Sequence, residues 1–399
     1  MRVLVAHPGM QHAHQLAWAL EEAGHLAGFW SGVPVVDARS PEEGLWGRFR
    51  GGLRAVPVPA SKRRHAVAFP LLRRLSGMLL PAAAGNAFSH RLDHAHDRWV
   101  AGRVRGLRPD LVVCYENSAL RAFRAARAAG ALCVLDAASV HYQAGRALGG
   151  GVAGLNPAWI DAQKQQEIEL ADAILTCSEF AAETYRAAGV PAAKLFPVPP
   201  GTDLPDVPPQ ARPAGGPCRF VFVGSLMRRK GVDLLLDIFE ELAREGATAS
   251  LTLIGGAAEA DLARRARGMG NVESRPFMPQ AELFQALAGH DCLLLPSRFD
   301  SFGMVVPEAM AAGVPALVSD RVGAKCVIEQ HPGAGWIVPC EEPALKAQIR
   351  QLAARPELSA AASAAARAAA RDYSWEAYRR RVARILQDIH LRHQASIPA

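Results

Sequence analysis

The sequence predicts an α/β protein built from two parallel-sheet units, and three observations carry that prediction. Short apolar runs alternate with helical patterns along most of the chain, the rhythm of a parallel sheet covered by helices. A proline- and glycine-rich stretch, Leu204–Pro217 (L-P-D-V-P-P-Q-A-R-P-A-G-G-P), interrupts the rhythm near the middle, after which it restarts. A chain of 399 residues is also long enough for two domains of ordinary size.

The elements follow in order. Arg2–Ala6 reads as a strand and Ala13–Ala23 as the helix after it. Leu111–Cys114 and Ala119–Ala129 repeat the pair, and Ala131–Leu135 is a further strand. Ala173–Cys177 leads to a helix over Glu179–Ala188. Past the interruption come strand Arg219–Val223, helix Val232–Arg244, strand Ser250–Ile254, helix Ala258–Met269 and strand Val272–Ser274. Helix Ala281–Ala288, strand Cys292–Leu295, a helix from Val305 and strand Ala316–Val318 complete the series. The expected organisation is a first domain over 1–204, a linker over 205–217, a second domain over 218–372 and a C-terminal helix over 373–399. Ligands of such sheets bind at the carboxyl ends of the strands, so each unit is expected to face an open cleft.

Two regions fit this rhythm less well. Ser61–Arg105 mixes apolar and basic positions, as on an interfacial amphipathic helix, in K-R-R-H, L-L-R-R-L-S-G-M-L-L and H-R-L-D-H-A-H-D-R. It reads as an insertion that either meets an anionic membrane or a bound substrate, or packs on the domain with its arginines in water. Ala354–Ala370 reads as an alanine-rich helix with little capacity to choose a partner. The amphipathic D-Y-S-W-E-A-Y-R-R-R-V-A-R-I-L follows it, with aromatic anchors.

Composition bounds the rest. The chain is 50% hydrophobic and 21% charged, which supports a sizeable folded core. A net charge of +7 suits polyanionic ligands or an anionic surface. Dispersed basic residues and an aromatic content of only 7% argue against a nucleic-acid binder. The seven cysteines are scattered and lack metal-ligand spacing, so buried free thiols in a reducing compartment are expected. The first residues lack the apolar length of a signal peptide, and no run reaches 18 consecutive apolar residues. A cytoplasmic protein is expected, with the inner face of the cytoplasmic membrane as an alternative site of action.

Four places can carry chemistry. After the first strand, H-P-G-M-Q-H-A-H-Q-L places Gly9 where a backbone can approach an anion, with His12 and His14 beside it as candidate ligand contacts. It is not the G-x-G-x-x-G fingerprint, which argues against a nicotinamide cofactor. In V-F-V-G-S-L-M-R-R-K-G-V-D, a strand end meets a basic loop and a helix start, and Arg228, Arg229 and Lys230 suit a diphosphate. In R-F-D-S-F-G-M-V-V-P-E, a turn over Ser301–Met304 can wrap backbone N–H groups around phosphate oxygens. Asp300 and Glu308, eight positions apart, can accept hydrogen bonds from sugar and ribose hydroxyls. In L-D-A-A-S-V-H-Y-Q, His141 follows a strand end, where its imidazole can bind a donor or acceptor hydroxyl. Asp136 and Glu116 compete for acceptor contact, while Glu167 and Glu169 read as exposed helix residues.

These motifs, in this order, resemble the retaining two-domain glycosyltransferases of the GT-B fold, the glycogen-synthase-like and mannosyltransferase-like group. The resemblance spans nearly the whole chain: P-G-M-Q-H-A-H-Q-L-A-W-A-L-E-E-A-G-H, then A-D-A-I-L-T-C-S-E-F with P-V-P-P-G-T-D, then G-S-L-M-R-R-K-G-V-D. L-P-S-R-F-D-S-F-G-M-V-V-P-E-A-M-A-A-G-V-P is its most specific part. It implies two Rossmann-like domains facing across a cleft, with the C-terminal helix returning to the first.

By the resemblance, Lys230 binds the donor diphosphate with help from the amides near Phe302, Gly303 and Met304. Gly9 lies against donor phosphate, Glu308 binds the ribose, and Arg275, Pro276, Phe277 and Met278 border the base. His141 sits near the transferred sugar, and Lys230 and Asp300 join it at the catalytic centre. The donor is a UDP- or GDP-sugar, the acceptor a glycan or lipid-linked hydroxyl, and no metal is demanded. Two positions depart from the family's pattern. Ser225 stands where an arginine is common, with Arg228 or Arg229 as substitute charges, and Asp300 stands where glutamate is common. A nucleotide-sugar epimerase, a phosphorylase and a non-catalytic sugar-nucleotide binder are the competing readings.

Overall fold

The computed structural model describes residues 1–39, 54–149, 158–208 and 216–396. Part of the expected linker, 209–215, and the last three residues of the expected C-terminal helix lie outside the described residues. The first sheet contains β1 (Val3–His7), β2 (Leu26–Ser31), β5 (Arg63–His65), β6 (Leu111–Tyr115), β7 (Leu132–Ala137), β8 (Ala173–Thr176) and β9 (Leu195–Pro197). Their order is β5-β2-β1-β6-β7-β8-β9, all parallel. A small pair, β3 (Val36–Asp37) and β4 (Ala55–Val56), stands apart.

The second sheet contains β10 (Cys218–Val223), β11 (Ala249–Ile254), β12 (Val272–Arg275), β13 (Cys292–Leu295), β14 (Ala316–Ser319) and β15 (Gly335–Val338). Its order is β12-β11-β10-β13-β14-β15. In both sheets the strand order reverses beside the first strand, at β1/β6 and at β10/β13. Such switch points open crevices at the carboxyl ends. Central strands such as V-L-V-A-H and C-L-L-L are buried throughout because helices cover both faces, which removes the polar alternation of a one-sided sheet.

The final helix, Trp375–Ser396, returns to the first domain and inserts Tyr378, Val382, Leu386 and Ile389 into its core beside Leu16 and Leu20. Where the chain passes back, Thr202 and Ser374 form a parallel bridge: the Thr202 amide donates to Tyr373 O at 2.8 Å and the Trp375 amide to Thr202 O at 3.1 Å. A Cβ on Gly201 would come within 2.6 Å of the Trp375 backbone, so only glycine fits there.

Three expectations change. The basic K-R-R-H run is not an amphipathic helix; Arg63–His65 forms edge strand β5, where charged side chains blunt an exposed edge. The helices of that region are Ala68–Leu79 and Ala82–Leu107. The alanine-rich run is broken at Pro356, which cannot continue the preceding helix, giving Glu342–Ala354 and Glu357–Asp372. Its alanines do choose a partner: Ala362, Ala366, Ala369 and Ala370 are buried, and small side chains let this helix lie close against Val305–Ala311. Arg367 secures the contact, donating to Ala311 O and Ala312 O.

Candidate active site

The second-domain site forms where β10 and β13 end. Gly224 and Gly255 both have φ near +150° and pack together, since a Cβ on Gly255 would lie 2.0 Å from Gly224 O. The next turn, Arg228–Lys230, is closed by Gly231 at φ +77, where any Cβ would strike Pro296 O. This glycine lets helix Val232–Arg244 start directly beside the end of β13. Lys230 is thereby brought to Asp300, and the two form a largely buried ion pair although 70 positions separate them.

The three basic residues of this loop have different fates. Arg228 is half-exposed and paired with both Glu259 and Asp261, so carboxylates already neutralise it. Those two hydrogen-bonded carboxylates raise its pKa further. Arg229 donates to Phe299 O at 3.1 Å, and its guanidinium lies 4.9 Å from the centre of the Phe299 ring, next to the turn over Ser301–Met304, the signature turn of the R-F-D-S-F-G-M run. Arg298 grips Asp233 with two bonds of 2.7 Å, tying the signature to helix Val232–Arg244, which the basic loop leads into.

In the signature turn Gly303 has φ +95, and helix Val305–Ala311 begins after Met304. The amides of Phe302, Gly303 and Met304 donate to no protein acceptor among the described residues. The Phe302 ring itself is buried and stacks on Tyr373, so only its backbone is available. Glu308 accepts from Gln280 Nε2 at 3.3 Å. Burial, with the charge of Asp203 added, pushes its carboxyl up to about 7 despite that bond. Beside it the chain after β9 and helix Gln280–Ala288 enclose a cleft of about 370 Å³, lined by Asp203, Pro205, Gln280 and Phe284 among others.

Of the expected base-binding segment, Arg275 is committed to Glu273 through bonds of 2.8 and 2.9 Å. Met278 packs on the core and Pro276 is exposed. Phe277 is 81% exposed, an unusual state for an aromatic ring.

The first domain meets this turn directly, and Ser301 makes the junction. Its carbonyl accepts from Ser178 Oγ at 2.5 Å, and its hydroxyl accepts from the Val140 amide at 3.2 Å. His141, the next residue, is buried; its amide donates to Thr184 Oγ1 at 2.9 Å and its ring packs on Tyr142 and Tyr185. Burial, helped by the Lys164 charge, lowers its pKa and keeps the imidazole neutral.

Nearby, Glu116 accepts from Ser139 Oγ at 2.7 Å and from Lys164 Nζ at 3.2 Å. Burial opposes the Lys164 charge, but Glu116 outweighs it and raises the pKa. Asp136 pairs with His12 at 2.9 Å; burial works against the imidazolium, yet the carboxylate raises its pKa overall. These residues line one edge of the first sheet, together with a small cavity under Tyr378.

Other expectations separate. His14 lies apart from this group: Arg54 donates to its Nε2 at 3.1 Å, Trp375 lies across it, and burial then Arg54 lower its pKa to about 4. Glu169 is exposed as expected, but Glu167 is fully buried. It accepts from the amides of Asn117, Ala119 and Leu120, capping the helix that follows β6. Six of the cysteines are buried free thiols and Cys340 is partly exposed.

Two residues escaped sequence reasoning. Lys164 sits in a helix without a strong apolar face, and His7 looks like an ordinary strand residue. The Gly9 amide donates to His7 Nδ1 at 2.8 Å, which places the ring proton on Nε2. That Nε2 is buried with no hydrogen-bond partner among the described residues. A histidine closing a strand directly before a glycine turn was the available signal.

Two doubly wound parallel-sheet domains that meet at the carboxyl ends of their strands, with a basic loop and a glycine turn at the second switch point, define the GT-B fold of a glycosyltransferase. The comparisons agree. A family model described as Glycosyl transferases group 1 matches residues 217–355, and one described as Glycosyl transferase 4-like domain matches residues 9–201, so together they span most of the chain. The chain belongs to the group 1 glycosyl transferase family.

Among its relatives, the D-inositol 3-phosphate glycosyltransferase of Segniliparus rotundus is 33% identical over 201 residues, 46% of this chain and 44% of that protein. The glycogen synthase of Mycobacterium tuberculosis is 29% identical over 287 residues, 69% of this chain and 68% of that protein. The chain spans about half the length of most of the curated relatives it matches. Among solved structures, Anabaena HepE in complex with UDP-glucose superposes with a TM-score of 0.64 at 15% identity, covering 97% of this chain and 100% of that one. At that identity it is the fold that is shared.

Proposed function

We propose that this glycosyltransferase is retaining and moves a hexosyl unit from a UDP- or GDP-linked sugar to a hydroxyl of a glycan, glycolipid or other cell-envelope acceptor. The observation that carries the reading is the meeting, at one strand end, of Lys230, Asp300 and the unengaged amides of Phe302, Gly303 and Met304. Glu308 stands one helical turn further on. The UDP-glucose bound by the HepE neighbour supports this donor class.

In this reading Lys230, Arg229 and the three amides stabilise the charge that grows on the leaving diphosphate, with Gly9 approaching it from the first domain. Arg228 holds the loop through Glu259 and Asp261 instead of meeting phosphate. Glu308 accepts from the ribose diol, and Asp300 accepts from the sugar through the oxygen that Lys230 does not hold. Phe277 offers a stacking face to the base, bordered by Pro276 and Met278, while Arg275 steadies the segment through Glu273. Neutral His141 binds a hydroxyl of the transferred sugar. The acceptor lies along Glu116, Asp136, His12 and His7. Its hydroxyl enters on the leaving-group side, the new glycosidic bond forms as the bond to the diphosphate breaks, and the departing phosphate oxygen takes the hydroxyl proton. Domain closure excludes water and limits donor hydrolysis. The enzyme acts at the inner face of the cytoplasmic membrane, and its chemistry proceeds without a metal.

The test is a screen of UDP- and GDP-hexoses against candidate acceptors, with product mass and anomeric configuration determined and a chelator present in parallel. Transfer with retention is expected, undiminished by the chelator. An epimerised nucleotide sugar, phosphate-dependent cleavage or an inverted product contradicts the proposal. Lys230→Ala and Glu308→Ala are each expected to cut turnover roughly 100-fold or more with unchanged circular dichroism. Full activity in both variants would remove these role assignments.

A further inference from the structure

We propose that helix Ala68–Leu79 is a membrane-docking face, that it takes a bilayer surface carrying anionic lipid, and that it presents a membrane-borne acceptor to the first-domain cleft. The inference rests on the transferase reading above and narrows its acceptor.

The polarity of this helix is inverted. A helix packed on a soluble domain turns its apolar stripe inward. Here Ser76 is its one buried residue, while Leu71, Leu75, Met78 and Leu79 are 62%, 52%, 75% and 78% exposed. At about 100° per residue these four, with Leu72, fill an outward arc of roughly 120°. The inward side carries Arg73, paired with Asp93, together with Ser76 and Phe69, whose ring meets His96 edge-on. Seven of the ten exposed large hydrophobic side chains among the described residues fall between Val67 and Leu80.

Charge selects the occupant. No aspartate or glutamate occurs from residue 44 to residue 92, whereas nine lysines and arginines do. Exposed Arg64 and Arg74 border the apolar arc. Acyl chains and anionic headgroups satisfy both features together. A second copy of the chain would bring two basic faces into contact. No helix among the described residues is long and apolar enough to cross a membrane, so the contact is a peripheral one.

Position supplies the link to the acceptor. A Cβ on Gly32, just past the end of β2, would lie 3.6 Å from Pro70 Cδ, and the Arg73 charge helps lower the pKa of His7 at the end of β1. The helix therefore stands at the rim of the first-domain cleft.

The test is flotation of the full chain with vesicles of phosphatidylcholine alone or mixed with phosphatidylglycerol, at low and high salt. A Met78→Asp, Leu79→Asp double variant is run beside it, and calorimetric binding of UDP and of GDP is the control for fold and donor site. Expected are binding to the anionic vesicles, weakening with salt, and a loss of roughly tenfold or more in the variant at unchanged affinity for whichever nucleotide the parent binds. Label from the UDP- or GDP-hexose that serves as donor, offered with total bacterial membrane lipid in the vesicles, is expected in the lipid phase. Absence of vesicle binding at low salt, equal binding by the variant, or label found only in water-soluble product each overturns the proposal. Self-association that the variant abolishes, without vesicle binding, also overturns it by assigning the face to a second copy. Vesicle binding without UDP or GDP binding would leave the docking face standing and remove the transferase reading instead.

Discussion

Removing one arginine at a time from the donor loop separates two neighbours that the sequence leaves equivalent. Arg228 is already neutralised by Glu259 and Asp261, and its side chain is 52% exposed. Exposed pairs of this kind contribute little because water screens them, and a guanidinium held by two carboxylates has little charge left for phosphate. Arg228→Ala should therefore change the donor KM less than about fivefold. Arg229 has a backbone carbonyl and an aromatic face as its partners, both beside the signature turn. A charge-assisted bond to phosphate contributes about 1.5–3 kcal/mol, so Arg229→Ala should weaken UDP binding about 10- to 150-fold. Calorimetry with UDP and the donor dependence of turnover measure both changes. If Arg228→Ala proves as damaging as Arg229→Ala, or if Arg229→Ala leaves UDP affinity intact, Arg229 is not the charge that substitutes for the arginine absent at Ser225.

Donor affinity should rise with pH through about 7: burial and Asp203 hold the Glu308 carboxyl protonated below that value, and only the ionised form accepts from both ribose hydroxyls. Binding then releases protons on the acid side, and Asp203→Asn should move the midpoint downward; a flat affinity between about pH 6 and 8 would contradict this. Gly303→Ala forces φ +95 on a residue with a Cβ and places that atom 2.9 Å from Leu295 Cδ2 and 3.0 Å from Val322 Cγ1. A loss of about 1–3 kcal/mol is expected, visible as a lower Tm in thermal unfolding, and an unchanged Tm would show that the turn relaxes freely. His7→Phe keeps the ring's bulk and removes its buried N–H, so the acceptor KM should rise while the donor KM holds; equal change in both would place His7 outside the acceptor path.

The sequence displays most clearly what is local. The donor signature is contiguous, so its glycine turn and the helix after it could be read before any fold was known. The central strands were equally plain because burial on both faces makes them uniformly apolar. β2 and β9 were not anticipated: L-A-G-F-W-S carries a mid-strand glycine, and L-F-P is too short for a period to register. Charge partners were hidden for a different reason. Glu167 reads as a surface helix residue because the amides it caps lie 47 to 50 positions earlier. The neutralisation of Arg228 depends on Glu259 and Asp261, which reach it only once β10 and β11 pair. The outward Leu and Met face at residues 71–79 carries the same periodicity as a buried one; only the packing of Arg73 and Ser76 reveals which side faces in.

The bridge between Thr202 and Ser374 has a mechanical consequence. The polypeptide passes between the domains twice, outward after β9 and back before the last helix, and the two passes run side by side with Gly201 flush against Trp375. A single tether permits swivel and twist as well as bending. Two adjoining passes, one of them anchored by a helix sunk in the first-domain core, act as the pin of a door and leave one axis of swing. Opening about that axis must break the bonds of Ser301 to Ser178 and Val140, so donor entry and the detachment of the first domain from the signature turn become a single event.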